Sequence, residues 1–433
     1  MLKVVDVCMR VEGHGNLEIF MKDDEISHVE FKIGPYRGFE NLLIGKKITD
    51  VPRIISRICG LCHASQSIVS CKTIETMYNI KPHQQAVFIR RILMVGELLK
   101  SHAMHFYFQS FPDLLEIFNL SKNTLNLNDL LKYNSQLTSN IFDIIKIGND
   151  LDILFGGRSI HLITPIPGGT IFQPSLKNIK IAQKYLEKSS FILEAIIEEF
   201  INIFSQFTPP EEFMLPNPYY LALNRNKDYD RYAGVLTLKK SNTKYEDFSE
   251  IHYNSYFDKD PNLHGIDFNI ENNRNYIVGP IARNQIIEGY GTDQISSYLN
   301  FFQKSWRNNL LYANFLRLIE MDVEVIKTLY LLEDPILKNS FPLPEISTIK
   351  NQNGIAVVEA PRGTLIHHYR INNKKIIEEA KLFIATEINL PLINKMITQY
   401  AQKLYEKKDL QFVKKKIQMM IRAFDPCISC ATH

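Results

Sequence analysis

Two Cys-x-x-Cys pairs stand at opposite ends of the chain. The first lies in Arg57-Ile58-Cys59-Gly60-Leu61-Cys62, the second in Asp425-Pro426-Cys427-Ile428-Ser429-Cys430, just ahead of Ala431-Thr432-His433. Each pair presents two thiolates about one turn apart, enough for one soft metal. Four thiolates together make a cysteine-only site suited to zinc, iron or nickel rather than to a hard cation. Zinc knuckles close within a few tens of residues. A site built from these two pairs instead ties the start of a large fold to its end, so the chain must bring its two termini together.

The chain has 433 residues, 45% hydrophobic and 22% charged, the balance of a globular protein with a substantial core. A net charge of +3 is too near balance to argue for nucleic acid or an anionic membrane. No run of about 20 apolar residues reads as a membrane-crossing helix. Residues 1–6 lack the apolar core of a signal peptide. The expected location is therefore the cytoplasm. Six cysteines do not make a disulfide framework, and the spacing of four of them favours metal in a reducing compartment. Cys8 and Cys71 stand apart and read as buried small hydrophobes.

Leu17, Ile19 and Met21 alternate, Asp23-Asp24-Glu25 supplies a turn, and Val29, Phe31 and Ile33 alternate again. This predicts a hairpin over 16–33. Helical periodicity runs through 82–111, 137–154, 179–207, 295–332 and 392–422, and a further helix over 65–77 follows the first cysteine pair. The polar stretch 224–275 reads as a loop-and-strand insertion. Residues 354–386 read as strands, with a turn at Asn372-Asn373-Lys374-Lys375. Pro426 ends the last helix. No linker or repeat divides the chain. The expected fold is mainly α, one large helical-bundle domain over 1–433 with peripheral β-hairpins and sheets (α+β). Its parts are an N-terminal β and metal-binding part (1–80), a bundle (81–223), the insertion (224–280), and a closing part of helices, hairpin and second cysteine pair (281–433). Bundles commonly hold metals between their helices.

Four cysteines fit one closed structural zinc equally well. Further motifs accompany them here: Arg10-Val11-Glu12-Gly13-His14-Gly15, Tyr36-Arg37-Gly38-Phe39-Glu40 and Glu359-Ala360-Pro361-Arg362-Gly363. In this order, with both cysteine runs, the chain resembles the large, catalytic subunit of nickel–iron hydrogenases along nearly its whole length. The resemblance implies that fold and a nickel–iron centre with cyanide and carbon monoxide on the iron. It makes Cys59 and Cys427 terminal nickel ligands and Cys62 and Cys430 the bridging pair. Glu12 takes a proton from Cys427, Arg362 lies over the open face of the metals, and Asp425 orients Arg362. Pro361 and Thr386 join Arg362 around the cofactor. Glu40 and His433 hold a magnesium or ferrous ion near the C-terminus. Read alone, Arg362 is an exposed arginine in a turn, Glu12 a solvent-facing or fold-stabilising carboxylate, and Asp425 a helix stop. The resemblance also implies a maturation protease that trims the chain back to His433 after nickel-insertion factors have acted.

The implied reaction is reversible heterolytic cleavage of hydrogen. Cys8 and Cys71 cannot hold an iron–sulfur cluster between them, so the electrons are expected to leave through an iron–sulfur small subunit. Two features depart from the common pattern. Gln66 replaces a histidine many members carry four residues after the second cysteine, and a histidine stands instead at His63. Ser101, the Ser-Cys-Ala-Thr-His ending and Phe155-Gly156-Gly157-Arg158 resemble the cytoplasmic, cofactor-linked branch, whose members couple hydrogen to NAD(P), a deazaflavin or a heterodisulfide reductase. Three other readings stand beside this one: a hydrogen-sensing regulatory subunit, a complex I-type quinone reductase-like subunit and a structural-zinc protein.

Overall fold

The chain opens on three antiparallel strands, Leu2–Val7, Gly15–Lys22 and Glu25–Ile33, side by side in sequence order. The structure, a computed structural model, describes residues 2–121, 127–240, 245–260, 265–268, 275–339, 342–343, 348–407 and 409–432. The expected hairpin is the second and third of these strands. Its alternation buries Leu17, Ile19, Met21, Val29 and Phe31. The helix Ala385–Leu404 covers the third strand. Asn394 and Thr398 on that helix accept from the main-chain N–H groups of Phe31 (2.8 Å) and Val29 (3.0 Å). A C-terminal helix is thereby fixed to an N-terminal strand.

The bundle consists of Gln84–Met104, Ser135–Gly156, Leu176–Phe204 and Tyr312–Glu333, packed in a ring. Two of them start as the capping rules ask: Asn134 accepts from Leu137 N, and Ser175 with Asn178 closes a capping box. The first two approach closely at Gly96 and Gly148, where a Cβ on Gly148 would stand 2.6 Å from the Gly96 carbonyl oxygen. The expected helix over 82–111 changes character at a π-helical stretch, His105–Ser110, which carries His105 inward.

Two stretches expected to be continuous helices are broken, for visible reasons. Residues 295–332 split into Asp293–Asn300 and Tyr312–Glu333 around a turn at Lys304–Asn308. That turn drives the fully buried Trp306 among Phe118 and Phe302, and its indole N–H donates to the Phe207 carbonyl at 2.8 Å. Residues 392–422 split where Asp409 caps a new helix, Leu410–Ala423, by accepting from Phe412 N. Aromatic burial and a cap override the continuous periodicity.

The expected insertion contributes Val235–Lys240 and Tyr245–Phe248, which join a sheet with Tyr219–Asn224, a strand that begins ahead of it, and the short parallel strand Tyr276–Ile277. Residues 241–244, 261–264 and 269–274 of that stretch lie outside the described residues. The second β-rich region is an antiparallel meander, Asn353–Ala360, Gly363–Ile371 and Ile377–Phe383. It is buried along most of its length, with the helix His63–Tyr78 packed on it. Among the described residues no helix is long and apolar enough to cross a membrane.

One buried carboxyl in the bundle yields a test. Both oxygens of Asp322 are buried without a hydrogen-bond partner among the described residues. Burial, reinforced by Glu194, pushes its carboxyl up to about 7. The native state thus holds this proton more tightly than the unfolded chain does. The corresponding stability is full below the unfolded value near 4 and is lost as pH rises towards 7. Asp322→Asn should flatten that dependence, gaining on the parent between pH 4 and pH 8 by on the order of 1–4 kcal/mol. Melting temperatures across that range give the slope.

Candidate metal centre

The chain turns twice to bring the cysteines together. Cys59 is extended after the turn Ser56–Ile58, and Cys62 leads into the helix His63–Tyr78. At the other end, Asp425 takes a left-handed conformation (φ +57°) that turns the chain off the helix Leu410–Ala423. Cys427 is then extended and Cys430 lies in the short helix Ile428–Ala431. All four cysteines are only 1–3% exposed, and their sulfurs lie within 4.8 Å of one another. Cys427 Sγ is 3.5 Å from Cys59 Sγ and 3.8 Å from Cys62 Sγ. Thiolates bound at about 2.3 Å to one ion stand roughly 3.3–3.8 Å apart, so the two spacings from Cys427 match those of ligands sharing one soft metal.

Main chain, not side chains alone, holds the two ends in place. Glu12 and Cys427 run side by side as a parallel bridge, and Ile428 N donates to the Glu12 carbonyl at 3.1 Å. The Glu12 carboxylate accepts from Ser429 N at 3.0 Å, and its other oxygen lies 3.9 Å from Cys59 Sγ. Burial, then the neighbouring Cys59, raises the Glu12 carboxyl above the usual range. Gly13 follows with φ +85°, and a Cβ there would stand 2.8 Å from Ile428 Cβ and 2.9 Å from Ser429 N. Thr386 Oγ1 accepts from Cys427 N at 2.8 Å.

Arg362 sits at the apex of a two-residue hairpin, between Ala360 and the positive-φ Gly363. Its Nε donates to Asp425 Oδ1 (3.0 Å) and to the Asp425 carbonyl (3.1 Å). Its Nη1 donates to Ser101 Oγ at 3.1 Å and lies 3.5 Å from Cys62 Sγ. Its Nη2 is buried with no partner among the described residues. Beside it lies a cavity of about 10 Å³ lined by Cys62, Arg362, Thr386, Cys427 and Cys430 among others. That is room for one water-sized molecule. Burial opposes the Arg362 charge, but Asp425 and the cysteine sulfurs outweigh it. Burial likewise opposes the Asp425 charge, and Arg362, His105 and Arg317 together hold its carboxyl below the usual range. Pro361 stands behind Arg362, its carbonyl accepting from Arg283 Nη2 at 3.0 Å.

Glu40 lies away from the sulfur cluster's hydrogen bonds. It accepts from Leu382 N at 2.7 Å, and Lys259 Nζ stands 3.6 Å from it while pairing with Glu387 at 3.0 Å. A cationic side chain therefore already neighbours this carboxylate. His433 lies outside the described residues. His63 is engaged elsewhere: its Nε2 is 3.2 Å from Lys100 Nζ and 3.5 Å from Asp152, and burial pushes its imidazole down to about 3.

Four residues acquire a part that their motifs did not reveal. Arg37 Nη1 donates to the carbonyls of Ile58 (2.7 Å) and Ser429 (3.1 Å), one beside each cysteine pair. Ser101 meets Arg362. His367 and Gln66 meet at 2.8 Å beside Cys430. The readable signal for His367 was its strand register: Leu365, His367 and Tyr369 share one face, and a histidine on a buried face needs a polar partner.

A model of nickel-dependent hydrogenases matches residues 37–146 and 319–433, together more than half of the chain. Sulfhydrogenase 2 subunit alpha of Pyrococcus furiosus is 28% identical, covering 100% of this chain and 99% of that one. The NAD-reducing hydrogenase HoxS subunit beta of Cupriavidus necator is 26% identical, covering 99% and 94%. A crystal structure of an NAD+-reducing [NiFe]-hydrogenase in the H2-reduced state superposes with a TM-score of 0.91 at 26% identity over the whole of both chains.

The Thr386 contact tests the closure. Thr386→Val leaves the buried Cys427 N–H without its acceptor, at a cost of about 1–3 kcal/mol. The melting temperature should fall, and metal bound per chain should drop under mild chelation, measured by elemental analysis. Thr386→Ser, which keeps the oxygen, should behave as the parent does.

Proposed function

The chain belongs to the nickel-dependent hydrogenases, and from that premise we propose that it is the catalytic subunit of a nickel–iron hydrogenase, splitting H2 reversibly into protons and electrons. The observation that carries this reading is the buried set of four sulfurs within 4.8 Å, with Arg362 Nη2, which has no partner among the described residues, beside a cavity at its edge. Cys59, Cys62, Cys427 and Cys430 would hold the nickel, with Cys62 and Cys430 shared with iron. Bound there, the nickel–iron centre supplies the soft Lewis acid and the redox chemistry that polarise hydrogen and take its electrons.

The protein's own groups then have distinct parts. Cys427 accepts the proton at its sulfur. Glu12 passes it outward, its carboxylate meeting the cluster 3.9 Å from Cys59 Sγ. Burial suits Glu12 to this, because it raises the carboxyl above its usual range and so favours taking up a proton that can then be passed on. Arg362 presents a fixed positive charge and a spare N–H to the small gas or to an anionic diatomic ligand. Asp425 holds the guanidinium in that orientation through Nε. Thr386 lines the same space, and Pro361 supports Arg362 from behind. A magnesium or ferrous ion near Glu40 and His433 belongs to the reading as well, as a second cation beside the Lys259 ammonium.

Electrons leave through an iron–sulfur small subunit, because Cys8 and Cys71 are single buried thiols with no second pair. The acceptor beyond it is NAD(P), a deazaflavin or a heterodisulfide reductase, in the cytoplasm. Sulfurs 1–3% exposed admit no metal once the fold is closed. This supports loading by nickel-insertion factors, followed by a maturation protease, before the second cysteine pair docks.

Elemental analysis of the purified protein is the first test. About one nickel per chain is expected, and zinc in its place would sink the reading. Glu12→Gln should keep its nickel and lose hydrogen–deuterium exchange by 100-fold or more, on the order of a general acid–base contribution. Wild-type exchange would remove Glu12 from the path. Cys427→Ser should lose activity along with nickel.

A further inference from the structure

Gln66 and Ser70 lie one turn apart on the helix His63–Tyr78, and His367 and Tyr369 lie two residues apart on the strand Gly363–Ile371 packed against it. Both spacings put each pair on one face. All four side chains are at most 1% exposed. They form a single polar chain that ends at the metal cluster. Gln66 Nε2 is 4.0 Å from Cys430 Sγ, the outer reach of an N–H···S contact. Gln66 Oε1 is 2.8 Å from His367 Nε2. His367 Nδ1 is 2.6 Å from the Tyr369 hydroxyl, which lies 3.3 Å from Ser70 Oγ.

The direction of this chain follows from its end. A metal-bound thiolate carries no proton, so Cys430 can only accept, and Gln66 must turn its NH2 towards it. Its carbonyl oxygen then faces His367 and can only accept, which places the imidazole proton on Nε2. Nδ1 is left as an acceptor, and the Tyr369 hydroxyl fills it at a short distance. One tautomer of His367 satisfies both of its own links, to Gln66 and to Tyr369, and the other sets two acceptors face to face.

We propose that His367 is a positioning residue: held in one tautomer by Tyr369, it fixes the Gln66 amide so that an N–H is delivered to the Cys430 sulfur. The inference rests on reading Cys430 as a metal ligand. Its consequence is electronic. A donor on a ligating sulfur withdraws electron density from the metal and raises its reduction potential. His367 tunes the centre through Gln66 without touching it.

The test is a redox titration of the nickel signal in the purified, nickel-loaded enzyme, with nickel per chain measured on the same samples. Gln66→Leu should lower the midpoint potential. His367→Leu should move it in the same direction, and His367→Gln, which keeps an N–H donor, should restore the wild-type value. The double variant should move no further than Gln66→Leu alone, because both act through one contact. An unmoved potential in His367→Leu, or additive shifts in the double variant, overturns the proposal. If His367→Leu does not hold nickel, Tyr369→Phe decides. That change removes only the hydroxyl, and a lowered potential supports the chain while an unmoved one overturns it. A wild-type protein without nickel would fail the hydrogenase reading instead.

Discussion

The main chain of Glu12 lies against that of Cys427, and everything near the cluster depends on that contact. It joins the loop after the first strand to the segment after the last long helix. Gly13 lets the two come within van der Waals limits. Ser429 N and the Glu12 carboxylate then cross-link them, and Arg37 reaches a carbonyl beside each cysteine pair. The four sulfurs meet because these backbone groups are satisfied by one another, not because the cysteines attract.

Around this closure sits an unusual quantity of buried charge. Arg362 pairs with Asp425, which lies 3.6 Å from Arg317 and 3.9 Å from His105. Behind them Arg283 joins Glu320 and Glu359, and His102 joins Glu320. Buried pairs of this kind add little net stability, since desolvation offsets their attraction. They do penalise any arrangement that separates them by several kcal/mol. The network therefore acts as a lock on geometry: the guanidinium of Arg362 has one place to be. Nη2, the one nitrogen without a partner among the described residues, is then directed by the other two.

How much of this was readable from sequence divides along a physical line. The hairpin over 16–33 and the strands over 354–386 were legible because alternation is local. The four cysteines were legible because their spacing is local and their chemistry narrow. The helix break at Trp306 was hidden, because its cause is a pocket built by Phe118, Phe207 and Phe302 from distant parts of the chain. Arg37 was hidden for the same reason: its partners are two carbonyls, and carbonyls have no sequence signature. Gln66 could be noted as a departure from a pattern. Only the opposing strand, with His367 and Tyr369, shows how a glutamine is held in the place of a histidine.

The same closure ties folding to metal. Four sulfurs within 4.8 Å in a site 1–3% exposed cannot all be thiolates without a cation among them, because like charges this close are unfavourable in a poorly solvated interior. Before loading, they must either keep their protons or stay apart. A metal reverses that preference: it needs the thiolates deprotonated and gathered, and its binding energy is then folding energy for the segment that supplies the second pair. Asp425 is anchored by its buried ion pair with Arg362, whereas residues 427–432 dock through a few hydrogen bonds with Glu12, Arg37 and Thr386 and the packing of Ile428 on Gly13. With a metal held by both pairs, opening means breaking the metal–sulfur bonds of Cys427 and Cys430 as well, and the closed state is favoured further. A chain that places two of these sulfurs at each end thus couples the closing of its C-terminal segment to whatever metal the four can hold.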